Sequence, residues 1–145
     1  TIFNQGGKIE LNNVTYNSTI NKAFQMAGGG DVVLTDCNIS GDVTGTYSAS
    51  NIWCGDGRNV TVNGGTYGSI FMNAQYHSGW PAASAHAASK ITLNDGTITK
   101  LTLETELGAE GYYVSATLTQ NGGTITNLVE NPQNLDLTGR SQYNK

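Results

Sequence analysis

Residues 90–101 read KITLNDGTITKL, and nearly the same line stands at 59–70 (NVTVNGGTYGSI) and at 117–128 (TLTQNGGTITNL). Aligning the chain on this line finds five copies, opening at Ile9, Val32, Val60, Ile91 and Leu118, which are 23, 28, 31 and 27 residues apart. Self-similarity at such a period is the signature of a stacked repeat. Each copy opens on an alternating apolar pair: Ile9/Leu11, Val32/Leu34, Val60/Val62 and Ile91/Leu93, with Leu118 followed by Gln120 in the last. Period-two alternation predicts a strand with one buried face.

A corner signature follows each pair. The fourth position holds Asn12, Thr35, Asn63, Asn94 and Asn121, and the fifth holds Asn13, Asp36, Gly64, Asp95 and Gly122. These types accept the left-handed backbone or hydrogen-bond their own main chain, as a sharp corner requires. The sixth position (Val14, Cys37, Gly65, Gly96, Gly123) and the eighth (Tyr16, Ile39, Tyr67, Ile98, Ile125) are expected to point inward. A third short strand is expected in the later copies, through Ile70/Met72, Leu101/Leu103 and Leu128.

A hairpin meander, or an up-and-down sandwich of coincidentally similar strands, would not repeat one residue type at one place in every unit. A solenoid does, because equivalent positions stack at about 4.8 Å per coil. The leucine-rich repeat frame is absent. The expected fold is all-β: a right-handed parallel β-helix of about five coils, since parallel crossovers are right-handed. Asn63, Asn94 and Asn121 should form a ladder along one corner, each amide bonding the next. One domain is expected, with 1–7 as an N-terminal cap or partial coil, 8–130 as coils, and 131–145 as a polar tail or cap.

The lines VTVNGGTYGSI and ITLNDGTITKL resemble coils of the pectate-lyase-like parallel β-helix superfamily. More narrowly, they are similar to the NGGT-type repeats of phage fibres, tailspikes and bacterial surface adhesins. The resemblance spans about residues 8–130. It implies a fold, and a choice between carbohydrate enzymes and non-catalytic surface modules.

Composition narrows the function classes. With 7 Lys+Arg against 11 Asp+Glu and a net charge of −4, the chain cannot build the basic face of a nucleic-acid binder. No apolar run reaches membrane-span length, so no span is expected. Sparse charge with abundant Asn, Thr and 19 Gly suits an extracellular or virion-surface β-protein. The start at Thr1 without Met reads as an excised domain or processed product. No Cys/His cluster points to zinc, and neither a metal nor a cofactor is expected.

Chemistry is expected on three long connections, 44–59, 73–89 and 104–116, taken to emerge from one edge of the column. They carry Tyr47, Trp53, Tyr76, Trp80, Tyr112 and Tyr113. Such rings stack on sugars or pack against a protein, and Trp53, Tyr76, Trp80, Tyr112 and Tyr113 are the candidate contacts to a ligand or partner. Packing against neighbouring loops is the competing role. Residues 81–88 suit one or two helical turns after Pro81.

Hydrolysis of a glycosidic bond needs two carboxylates about 5–10 Å apart. The candidates are Asp56, Glu104, Glu106 and Glu110; Glu104 and Glu106 would share a face of a strand, which is equally the pattern of a solvated outer face. His77 and His86 sit among small residues without a fixed acidic neighbour. A lyase resembling the superfamily's would need clustered aspartates for calcium and a nearby arginine, whereas Asp31, Asp36 and Asp42 are isolated and only Arg58 and Arg140 are present. Cys37 is expected as a buried thiol, with a disulfide to Cys54 as the alternative in an oxidising place.

The leading expectation is a non-enzymatic structural or adhesive module of a phage particle or bacterial surface. Its partners would be a glycan, a cell-surface receptor or neighbouring subunits, with a homotrimer compatible. The alternative is a carbohydrate-active β-helix enzyme, a polysaccharide lyase or glycoside hydrolase such as a capsule depolymerase fragment. A third reading is ice binding through the TIT triplets at 97–99 and 124–126, which TYN, NIS and TYG interrupt in the other copies.

Overall fold

The computed structural model describes residues 1–45, 48–55, 57–74, 89–107 and 113–130. It is a parallel β-solenoid whose walls are three stacks of strands. The first face stacks β2 (Ile9–Asn12), the opening of β5 (Gly30–Ser40), β7 (Arg58–Met72) and β8 (Lys90–Leu103), then β11 (Thr117–Gln120). Its register places Ile9, Val32, Val60, Ile91 and Leu118 above one another, as the five copies require. On the second face β3 (Thr15–Asn17), β5, β7, β8 and β12 (Thr124–Glu130) stack Tyr16, Ile39, Tyr67, Ile98 and Ile125.

The third face runs through every turn, not only the later ones. β1 (Ile2–Gln5), β4 (Phe24–Ala27) and β6 (Ile52–Cys54) precede the last segments of β7, β8 and β12, aligning Ile2, Phe24, Ile52, Ile70, Leu101 and Leu128. Residues 52–54 are therefore wall rather than connection. The solenoid makes about four turns, not five. A turn is complete only when the chain returns to its starting face, so five opening strands bound four intervals. A short antiparallel hairpin, β9 (Thr105–Leu107) with β10 (Tyr113–Ser115), branches off this column.

The core is the stack of inward residues, among them Val32, Leu34, Ile39, Val60, Val62, Tyr67, Ile91, Leu93, Ile98 and Leu101. Burial of such apolar rows is the main stabilising term. At the first corner the Asn ladder forms: Asn94 Nδ2 donates to Asn63 Oδ1 at 2.8 Å, and Asn121 Nδ2 to Asn94 Oδ1 at 2.8 Å. Asn13 and Asp36 take positive φ there, at 55° and 49°. The connections do not share one edge. Residues 41–51 separate the second face from the third in the turn of β5 and β6, whereas 73–89 and 104–116 separate the third face from the first.

Cys37 and Cys54 are both buried free thiols, which corrects the disulfide alternative. They fill core positions on different walls: Cys37 lies beside Gly65 at the first corner, and Cys54 between Met26 and Met72 on the third face. Burial pushes the Cys54 thiol up to about 12, against a smaller opposing pull from Arg58. Burial likewise raises the Tyr67 hydroxyl. Above pH 9.0 the unfolded chain's thiol loses its proton while the folded one keeps it, so the folded state binds more protons and stability falls as pH rises. The expected result is a loss between about pH 9 and 12 that Cys54→Ala makes shallower, read from urea midpoints across that range. An unchanged slope in Cys54→Ala would contradict the assignment.

Candidate functional site

A groove of about 500 Å³ runs along the corner between the second and third faces. Gly41, Asp42, Val43, Gly68, Ser69, Thr99, Lys100, Thr126 and Asn127 line it. Its origin lies in the unequal length of successive corners. β7, β8 and β12 turn this corner without interruption, presenting Ser69, Lys100 and Asn127 in one vertical row. In the turn below, residues 41–51 intervene between β5 and β6, and Gly41, Asp42 and Val43 become a wall for the recess above.

Asn51, fully buried, fastens this insertion to the column. Its Nδ2 donates to the Gly41 carbonyl at 3.2 Å, and its Oδ1 accepts from Ser69 N at 2.8 Å and Ser69 Oγ at 2.9 Å. Position 68 must be glycine: a Cβ there would stand 2.5 Å from Asn51 Oδ1 and 3.3 Å from Ser40 Cα. The groove is thus shaped by hydrogen bonds at its foot and a parallel ladder at its back.

Most of its exposed lining is apolar surface, set with a few polar groups. Hydroxyls of Thr99 and Thr126 and the Asn127 amide can both donate and accept, whereas the Ser69 hydroxyl is already held by Asn51, donating to its Oδ1 at 2.9 Å and accepting from its N at 2.8 Å. One carboxylate (Asp42) and one ammonium (Lys100) are in the lining, so the charged groups sum to zero. Such a surface suits a neutral, hydroxyl-rich ligand. Sequence reading missed the groove. Its signals were the change from GS at 68–69 to TK at 99–100 and TN at 126–127, together with the extra residues before IWC.

Of the residues singled out from sequence, Trp53 and Glu104 are not in the lining of this groove. Trp53 stands on the third face in β6, only 7% exposed, in a small cluster with Ala27 and Phe71. Its ring lies across Gly55, where a Cβ would meet a ring carbon at 2.4 Å, and Lys22 Nζ sits 5.5 Å from the ring centroid. Packing accounts for the Trp53 contacts.

Glu104 directly follows β8 and is 4% exposed, accepting hydrogen bonds from Ala74 N at 3.1 Å and from Asn73 Nδ2. It belongs to the inner side of the corner between the third and first faces, not to a solvated strand face. Glu106 lies in β9, paired with Val114, and Tyr113 opens β10. Asp56, Tyr76, Trp80 and Tyr112 lie outside the described residues, as do Tyr47, His77, His86, Glu110 and residues 81–88.

Among the described residues no group of three or more His, Cys, Asp or Glu is placed to hold a metal ion. No helix there is long and apolar enough to cross a membrane. Compared with protein-family models, with curated proteins and with solved structures, the chain finds no match in any of the three. What it shares with pectate-lyase-like coils is the parallel β-solenoid arrangement, and no relative ties it to that superfamily or to phages.

Proposed function

We propose that the chain is a non-enzymatic solenoid module of an extracellular or virion surface, a fibre, decoration or adhesin, that binds a neutral glycan in the corner groove. The groove itself carries this reading: a recess of about 500 Å³ whose largely apolar lining is set with the Thr99 and Thr126 hydroxyls, the Asn127 amide and one charge of each sign. Sugars are recognised by several directional hydrogen bonds on a preformed surface, and each such bond contributes about 1 kcal/mol net. A rigid parallel ladder lowers the ordering cost of binding.

Binding is favoured over cleavage by the state of Glu104. A general acid or nucleophile must reach a substrate, and this carboxylate is turned inward onto Asn73 and Ala74. Sparse charge and the Asn-, Thr- and Gly-rich composition support the surface location.

A glycan array probed with the chain and with a Thr126→Val, Asn127→Ala double variant tests the proposal. The expected result is retention on neutral saccharides, weakened about tenfold or more in the double variant as two hydrogen-bonding groups are lost. Retention on no saccharide, or binding that the double variant leaves unchanged, would overturn it.

A further inference from the structure

Asn-Gly occurs twice in the chain, at Asn63-Gly64 and Asn121-Gly122, and both pairs sit at the first corner on the Asn ladder. An asparagine followed by glycine carries its own reaction. The side-chain carbonyl carbon lies within reach of the next backbone nitrogen, and glycine has no Cβ to hinder the approach. The fold treats the two places differently.

Asn63 stands inside β7 with a turn stacked on either side. Gly64 is buried between them: a Cβ on it would lie 2.3 Å from Asp36 Oδ1, and a Cβ on Gly96 would lie 2.8 Å from the Gly64 carbonyl carbon. Asn63 Oδ1 also accepts from Asn94 Nδ2 at 2.8 Å. Asn94 itself is followed by Asp95, whose Cβ hinders the same attack. Asn121 differs on each count. It is exposed and lies in the bend between β11 and β12, outside either strand. It donates to Asn94 Oδ1, but among the described residues no donor reaches its own Oδ1. The Gly122 N–H shares the Leu93 carbonyl with the Asn121 N–H, at 3.3 Å against 2.8 Å. The longer and weaker of these bonds is thus the one on the attacking nitrogen.

We propose that Asn121 is a site of spontaneous deamidation, while the same dipeptide at Asn63-Gly64 is kept intact by the stacked turns. The Gly122 nitrogen loses its proton to solvent and bonds to Asn121 Cγ. The Cγ–Nδ2 bond breaks, and Nδ2 takes up a proton from solvent and leaves as ammonia. Water then opens the five-membered ring. Opening at Cγ gives aspartate; opening at the main-chain carbonyl gives isoaspartate. One water enters and one ammonia leaves, with no change of oxidation state. In either product the donor to Asn94 is gone, and a carboxylate stands against Asn94 Oδ1, acceptor against acceptor. Isoaspartate also adds a carbon to the backbone of a corner closed in register. The modification therefore releases the upper link of the ladder.

Peptide mass spectrometry of the full chain, aged in mildly alkaline buffer, follows both sites at once, because trypsin cuts at Arg58, Lys90, Lys100 and Arg140 place them in separate peptides. Ring closure needs the corner to open locally, which is cheap at an exposed bend and costly inside a paired strand. The expected result is acid accumulating at position 121 about tenfold or more faster than at position 63 in the folded chain, with the two rates converging in urea. Equal rates in the folded chain, or a faster reaction at Asn63, would overturn the proposal. So would a difference that persists unchanged in urea, since flanking sequence and not the fold would then set it.

Discussion

Gly65→Ala is expected to destabilise the fold by at least about 3 kcal/mol, a large share of the 5–15 kcal/mol typical of a domain. Gly65 sits at the first corner with φ +95°, and a Cβ there would stand 2.2 Å from the Cys37 carbonyl oxygen and 2.7 Å from the Cys37 nitrogen. Those atoms are the backbone of the turn below, fixed by its own ladder, so they cannot give way as the end of a flexible side chain would. Two costs add: the strain of positive φ on a residue with a Cβ, and the forced separation of two stacked turns. Gly7→Ala separates them. Gly7 also has positive φ, +71°, but a methyl group added there would meet nothing within 4 Å. It is expected to cost only about 1–2 kcal/mol. Equal urea midpoints for the two variants would show that stacking is not what position 65 protects.

Arg58→Met is the second large effect, with an expected loss of about 3 kcal/mol or more. Arg58 opens β7 fully buried, and its guanidinium reaches back to the two preceding turns. Nη1 donates to the Gly7 carbonyl at 2.6 Å; Nη2 donates to the Ala27 carbonyl at 2.5 Å, the Asn4 carbonyl at 3.3 Å and Asn4 Oδ1. These bonds tie β1 and β4 to the wall above them. Met keeps much of the stem's volume and leaves the buried Ala27 carbonyl without this donor, which is the costly half of breaking such a bond. Arg58→Lys is not expected to rescue, because one ammonium cannot span the fork that serves three residues. The loss should show first as faster amide exchange in β1 and β4. A midpoint within about 1 kcal/mol of the parent would contradict this role for Arg58.

Both variants act at places the sequence marked only in part. The copies at Ile9, Val32, Val60, Ile91 and Leu118 were legible with their register, because alternation and corner residues are local and repeat at every turn. The Asn ladder followed from that register. The early third-face strands were not legible. In the turns of β7, β8 and β12 the third face begins three residues after the second-face apolar position, as Tyr67 to Ile70 shows. The gap is eight residues from Tyr16 to Phe24 and thirteen from Ile39 to Ile52, so alignment on the regular copies passes over both strands.

The same insertion explains why Trp53 was placed in a connection and not in a strand. A tryptophan between two apolar residues in IWC reads as a loop anchor when its strand is unseen, and as an outward wall residue packed with Phe71 once it is placed. The groove was hidden for a related reason. It is made by the difference between one long corner and three short ones, a property of stacked turns and not of any single motif. Strand alternation puts Glu104 on a shared face with Glu106, but β8 ends at Leu103, so alternation no longer governs where that side chain turns.

We propose the corner groove as the binding surface. The most direct measurement is a nuclear magnetic resonance titration of the isotopically labelled chain with the neutral oligosaccharide it retains best. The expected result is saturable shifts concentrated on the amides of Ser69, Thr99, Lys100, Thr126 and Asn127, with the third face around Trp53 and Phe71 unmoved. Saturable shifts centred on Trp53 and Phe71, or none that saturate at the groove, would contradict it.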